Sequence, residues 1–169
     1  MRTIKSLRAL DVGTATLFRK LCSCCVSVRV GHSIIDARVP SLGGNAGSNS
    51  LRSYGLSFDN LNILNEYGLI IADYNSYYDY RMCIMKNRSL GLPLTHQGGL
   101  WGLAVPEPVE GDASPANKEL RITGVALSQV GKELLPIVDI DPAETYTDAL
   151  AKFFTTQKLT LTRIDIQNS

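Results

Sequence analysis

Apolar positions recur at helical spacing in the first third of the chain and at strand spacing through much of the rest. From Thr14 to about Val28, the residues Leu17, Phe18, Leu21, Cys22 and Cys25 fall within about 140° of one another at 100° per residue, opposite Arg19, Lys20 and Ser23. This stripe predicts a core-facing helix, with Cys24 at its polar edge. A shorter helix is expected over Ile4 to Leu10, interrupted by the turn and cap formers of Asp11-Val12-Gly13. A third opens at Ser57-Phe58-Asp59-Asn60, where Ser57 can cap the first free N–H groups and Asp59 sits near the positive end of the helix dipole. Its expected core face is Leu61, Ile63, Leu64 and Tyr67, and Gly68 stops it in the left-handed conformation.

Strand-like segments follow. Leu69 to Tyr74 and Tyr80 to Lys86 are rich in branched and aromatic residues and are expected to pair across the Asn75-Ser76 turn. Leu100 to Val105, Glu119 to Leu127 and Leu159 to Ile166 add further strands, and the polar run Thr95 to Gly99 reads as a hairpin tip. Ser128 is expected to cap a helix reaching Val138, with Pro136 near its end, and Asp141-Pro142 to begin a last helix running to about Thr156. The stretches 40–53 and 106–117, rich in Gly, Ser and Pro, read as flexible loops. Together these elements predict one α+β domain over residues 1–169: a winged-helix-like helical core, a small antiparallel sheet, and a C-terminal helix-strand extension.

Composition narrows the class without naming a function. A chain of 169 residues with 44% hydrophobic and 20% charged residues fits a single globular domain and lies far from disordered or collagen-like sequences. The longest uncharged stretch, Ser89 to Pro106, is broken by Gly91, Pro93, Gly98, Gly99 and Gly102, so no membrane span is expected. Charges interrupt the N-terminal apolar residues as well. A cytoplasmic location follows, in which Cys22, Cys24, Cys25 and Cys83 are expected as thiols rather than disulfides.

Charge is unevenly spread. Residues 1–52 hold eight Lys or Arg against two acids, whereas 53–169 hold nine against fourteen. The basic half offers Arg2, Lys5, Arg8, Arg19 and Lys20 as candidate nucleic-acid contacts, acting on phosphates without reading sequence. The helix opening at Ser57 is unsuited to a DNA groove. No Lys or Arg occurs between Ser53 and Tyr80, and Asp59, Asn62 and Glu66 lie opposite the apolar face.

Candidate chemistry is sparse. Cys22-Ser23-Cys24-Cys25 lacks the second ligand pair of a zinc site, so core packing is expected and no metal. Cys83 with His96 would make a thiolate and base, but no third group marks itself as orienting them. Gly43 to Ser50 lacks the Gly-Lys-Ser/Thr ending of a phosphate loop, and no cofactor is expected. The tyrosines Tyr67, Tyr74, Tyr77, Tyr78 and Tyr80 cluster around one turn, as strand packing or as a wet interface.

Three groups of residues carry a family resemblance. They are Leu7-Arg8-Ala9-Leu10 followed by Ala15-Thr16-Leu17-Phe18-Arg19-Lys20-Leu21-Cys22; Leu56-Ser57-Phe58-Asp59-Asn60-Leu61 with Leu64 and Tyr67-Gly68-Leu69-Ile70; and Leu127-Ser128-Gln129-Val130-Gly131-Lys132-Glu133-Leu134-Leu135. They resemble the C-terminal region of the bacterial family called domain of unknown function 2806. The last two are also similar to abortive-infection alpha proteins of phage defence. The resemblance implies the C-terminal part of a longer architecture, with no catalytic residue carried over. It points to a non-enzymatic interaction or regulatory module with a protein partner, self or other, in stress or phage defence. Nucleic-acid binding through the basic half is the alternative, and an enzyme built on Cys83 and His96 comes last.

Overall fold

The computed structural model describes residues 10–44, 48–71, 73–85, 91–106 and 119–166. The helix expected over Ile4 to Leu10 lies outside this range except for Leu10. Arg2, Lys5, Arg8 and nearly all of the 106–117 loop also fall outside it.

The first described helix, α1, spans Val12–Cys24, and the Asp11 carboxylate caps it by accepting the Thr14 N–H at 2.6 Å. Phe18 and Leu21 are buried on its inner side. The helix ends four residues before the expected Val28. Val26, Val28 and Val30 repeat at period two and form strand β1, Val26–Val30, which turns at Gly31 (φ +59°) into β2, Ser33–Pro40. No hairpin was expected here.

Helix α2, Phe58–Glu66, forms where its cap predicts, with the Asn60 N–H donating to Ser57 Oγ at 3.2 Å and Gly68 at φ +70° after its end. Leu61 and Leu64 are buried as expected. Ile63 is 39% exposed and Tyr67 only half-buried, so the core face is narrower than the sequence pattern suggested.

The sheet has eight strands rather than a small number: β1, β2, β3 (Tyr77–Asp79), β4 (Ile84–Met85), β5 (Leu94–His96), β6 (Gly99–Ala104), β7 (Arg121–Ala126) and β8 (Thr160–Ile164). They are ordered β3-β7-β2-β1-β5-β6-β4, and β8 also pairs with β6. All pairs are antiparallel except β4 with β6. The β1–β2 hairpin separates α1 from α2, so the helices do not follow one another directly as the winged-helix-like reading supposed.

The expected hairpin across Asn75-Ser76 does not form. Ile70 makes a single bridge to Leu127, β3 pairs with β7 instead, and the 80–86 segment splits into a 3-10 turn at Arg81–Cys83 and the short β4. The cause is local: Asp79 Oδ1 accepts the N–H groups of both Arg81 and Leu120 at 3.0 Å, which turns the chain away from a continuous strand. The β5–β6 hairpin turns at Gln97 (φ +50°) and Gly98 (φ +68°), the tip expected there.

Ser128 caps α3, Gln129–Leu134, through the Gly131 N–H at 3.1 Å; the helix tightens to 3-10 over Leu135–Ile137, where Pro136 has no N–H to continue it. The last helix, α4, spans Glu144–Thr156 and starts after Ala143, not at Asp141.

Strand β2 is buried on both faces over its last five residues. One face carries Asp36 and Arg38, both buried, and their contacts form the polar centre of the core. Arg38 grips Asp36 with two bonds, Nε to Oδ2 at 2.7 Å and Nη2 to Oδ1 at 2.8 Å. The Tyr80 hydroxyl donates to Asp36 Oδ2 at 2.5 Å, and Arg38 Nη1 donates to the carbonyls of Ser76 at 3.0 Å and Ile122 at 3.1 Å. Burial raises the Tyr80 pKa well above its ordinary value, with the Asp36 charge adding to the shift.

Removing one member of a buried pair strands the other charge. Asp36→Ala is expected to cost about 3 to 5 kcal/mol in urea unfolding. Tyr80→Phe keeps the ion pair and is expected to cost about 1.5 to 3 kcal/mol. Equal losses in the two variants would mean that the carboxylate is not what holds Arg38.

Candidate functional site

Of the basic residues expected to meet phosphates, the described structure contains Arg19 and Lys20. Arg19 reaches the carboxylates of Asp141 and, at 3.6 Å, Asp139, with its side chain 43% exposed. Its charge is therefore opposed within the fold. Around this pair the start of the last helical segment is clasped to α1. Ser23 Oγ donates to the Arg19 carbonyl at 2.9 Å and accepts the Asp141 N–H at 3.0 Å. Gln97, at the hairpin tip, donates through Nε2 to the carbonyls of Ser23 and Asp141 and accepts the Ala143 N–H on Oε1 at 3.2 Å. Asp141 is thus engaged as a partner of α1 instead of capping α4.

His96 is deeply buried. Its Nδ1 lies 2.9 Å from the Cys25 carbonyl, which can only accept, so Nδ1 carries the proton. Nε2 faces the Thr147 hydroxyl at 2.8 Å, and that hydroxyl, with one proton, also lies 3.0 Å from the Ala143 carbonyl. Burial lowers the His96 pKa, with the Cys25 bond acting the other way. A neutral ring therefore ties the β1 end to α4, and both of its nitrogens are engaged away from Cys83.

All four cysteines are buried thiols. Burial pushes Cys24 and Cys83 up to about 12, and raises Cys22 and Cys25 as well. Cys24, expected at a polar edge, is only 3% exposed. The reason is tertiary: Tyr54 and the start of α4 cover that side of α1, leaving a pocket of about 210 Å³ lined by Cys24, Tyr54, Tyr146 and Lys20. Among the described residues no group of three or more His, Cys, Asp or Glu side chains could hold a metal ion.

The larger opening lies between α1 and α2, an open cleft of about 650 Å³. Leu17, Ile63 and Tyr67 supply its apolar lining, with Asp11, Glu66 and Lys20 as its charged lining. Val12, between the lining residues Asp11 and Gly13, is 85% exposed. Lys20 lines both openings. Gly55 matters here, because its φ of +80° and its missing side chain let the Lys20 chain lie against it; a Cβ at that point would stand 2.8 Å from Nζ.

Neither the cleft nor the Asp36–Arg38–Tyr80 cluster was expected from the sequence. The cluster did leave a signal, two opposite charges at i and i+2 inside an otherwise apolar run, which places both on one strand face. The cleft left none, since it arises from how two helices diverge. Comparison of the chain with family models, curated proteins and solved structures gave no match in any of the three. Among the described residues no helix is long and apolar enough to cross a membrane.

Two measurements follow from these environments. A thiol reagent at neutral pH is expected to modify the native protein slowly, with Cys24 first because it borders a pocket beside Lys20; fast labelling of Cys83 would contradict the packing described. His96 titrates near 6.5 in the unfolded chain and lower in the folded one. Between those values the unfolded state holds more protons, so stability is complete above about pH 6.5 and declines as pH falls below it. Urea unfolding at pH 7.5 and 5.0 is expected to show this slope, and His96→Gln to flatten it.

Proposed function

We propose that the chain is a non-enzymatic interaction module that receives a protein segment in the cleft between α1 and α2. The observation supporting this is an open cleft lined by exposed Ile63 and half-buried Leu17 and Tyr67, with carboxylates and one lysine beside them. Apolar side chains rimmed by charge suit a partner that buries a few large residues and orients by polar contacts. In this reading α2 serves packing and protein contact rather than DNA reading. A bacterial setting in stress or phage defence draws its support from the family resemblance.

The alternative, phosphate binding by the basic half, has less in its favour. Arg19 is opposed by Asp139 and Asp141, and α2 presents Asp59, Asn62 and Glu66, against which a duplex carrying about one charge per 1.7 Å would be repelled.

A photo-crosslinking residue at position 63 separates the two. Ile63 is exposed enough that replacing it is expected to change stability by no more than about 0.5 kcal/mol. Discrete protein adducts, lost when Leu17→Asp is added, are the expected result. Salt-sensitive duplex binding that disappears in Lys20→Ala, with no protein adduct at position 63, would favour the nucleic-acid reading instead.

A further inference from the structure

Strand β8 pairs along β6 from Thr160 to Ile164, and among the described residues its other edge has no strand beside it. That leaves a row of backbone N–H and C=O groups facing outward on a five-residue strand that is not shortened, interrupted by proline or bulged. Apolar side chains are exposed on it and just past its end. Ile164 is 37% exposed and Ile166, just beyond it, is 68% exposed. Arg163 and Asp165 are both exposed, and neither has an ion-pair partner among the described residues.

From this edge we infer that the chain self-associates by sheet extension, with β8 of a second copy lying antiparallel to its own. The charges select the register. In a two-fold arrangement, residue i of one copy meets j of the other, and j meets i. An axis through Ile164 sets Arg163 opposite Asp165 of the second copy and Asp165 opposite Arg163 of the second copy, two opposite-charge pairs from one symmetry element. The same axis places Ile164 against its own copy and Thr162 against Ile166, which covers both exposed isoleucines. Moving the axis to Arg163 or to Asp165 puts like charges face to face, and an axis through Thr162 leaves Arg163 opposite Leu161. The edge is therefore self-complementary in one register and not in its neighbours. A second copy fits this pattern better than an arbitrary strand, which would need its own opposite charges at the same spacing. The interface lies on a different surface from the α1–α2 cleft and does not depend on it.

The test uses the whole chain. Sedimentation equilibrium over a concentration series is expected to show a monomer–dimer equilibrium, weak because one strand edge buries far less than a standard interface. Arg163→Asp alone makes both cross-strand pairs acid against acid, and Asp165→Arg alone makes both base against base. Each is expected to raise the dimer dissociation constant about tenfold or more. An equimolar mixture of the two single variants again sets opposite charges across the strands and is expected to restore dimers, as is the double variant Arg163→Asp with Asp165→Arg. Circular dichroism confirms that the variants compared are folded, and Ile164→Lys, which would bury two lysines at the axis, gives a second route to loss of dimers. A wild type that stays monomeric to about millimolar concentration would overturn the inference. So would single variants that dimerise like the wild type, or folded variants whose mixture fails to restore association.

Discussion

The bidentate bond between Asp36 and Arg38 is the constraint on which the arrangement of this sheet depends. Two charges out of water carry a desolvation cost of several kcal/mol each, and the pair is tolerable only if nearly every lone pair and N–H finds a partner. The carboxylate meets this demand with Arg38 and Tyr80, and the guanidinium uses the Ser76 and Ile122 carbonyls beyond its grip on Asp36. Each partner comes from a different part of the chain. Satisfying one ion pair on β2 therefore fixes where β7, the turn before β3, and the turn after it must lie. An apolar pair at these positions could pack as well but would leave that choice to shape alone, which is a weaker instruction.

A second polar assembly ties the sheet to the helices. Gln97 at the hairpin tip, Ser23 on α1 and the backbone of Asp141 and Ala143 share hydrogen bonds, while His96 beside them reaches Thr147 on α4. The hairpin tip thus acts as the joint between the sheet and both of its longest helices. It also explains why residues with reactive side chains cluster here without chemistry: Cys24, Cys25 and His96 are covered by the elements that this joint brings together, and burial holds the thiols protonated and the imidazole neutral.

The legible parts of the fold were those encoded by neighbours in sequence. Ser57 and Ser128 cap helices within three residues, Gly68 ends one through its own conformational freedom, and β6, β7 and β8 announce themselves by composition. The illegible parts depend on partners far away. Val28 fits both the helical stripe and a strand, and only pairing with β2 and β5 decides for the strand. Burial of both faces removes the alternation that would have marked β2. Asp141-Pro142 has the residues of a helix start, yet Arg19 and the hairpin tip claim the aspartate first. At the site, core packing of Cys22 and Cys25 could be read from their wheel positions, whereas the cover over Cys24 and the cleft beside Ile63 come from tertiary placement that no local pattern records.

The polar centre of the core has a consequence for how the chain reaches this state. Tyr80 meets Asp36 across 44 residues, Arg38 meets Ile122 across 84, and Arg19 meets Asp141 across 122. Closing such spans loses chain entropy before any of these bonds can form, so they belong to the late side of the folding barrier, while the β1–β2 hairpin, with its ends adjacent, can form early. A chain paused between those stages holds Asp36 and Arg38 beside each other on a formed hairpin with their outer partners still missing. There the two side chains are hydrated and cost little. Only as β7 and the Tyr80 turn arrive does water leave them, so the ion pair dries as the native sheet closes around it.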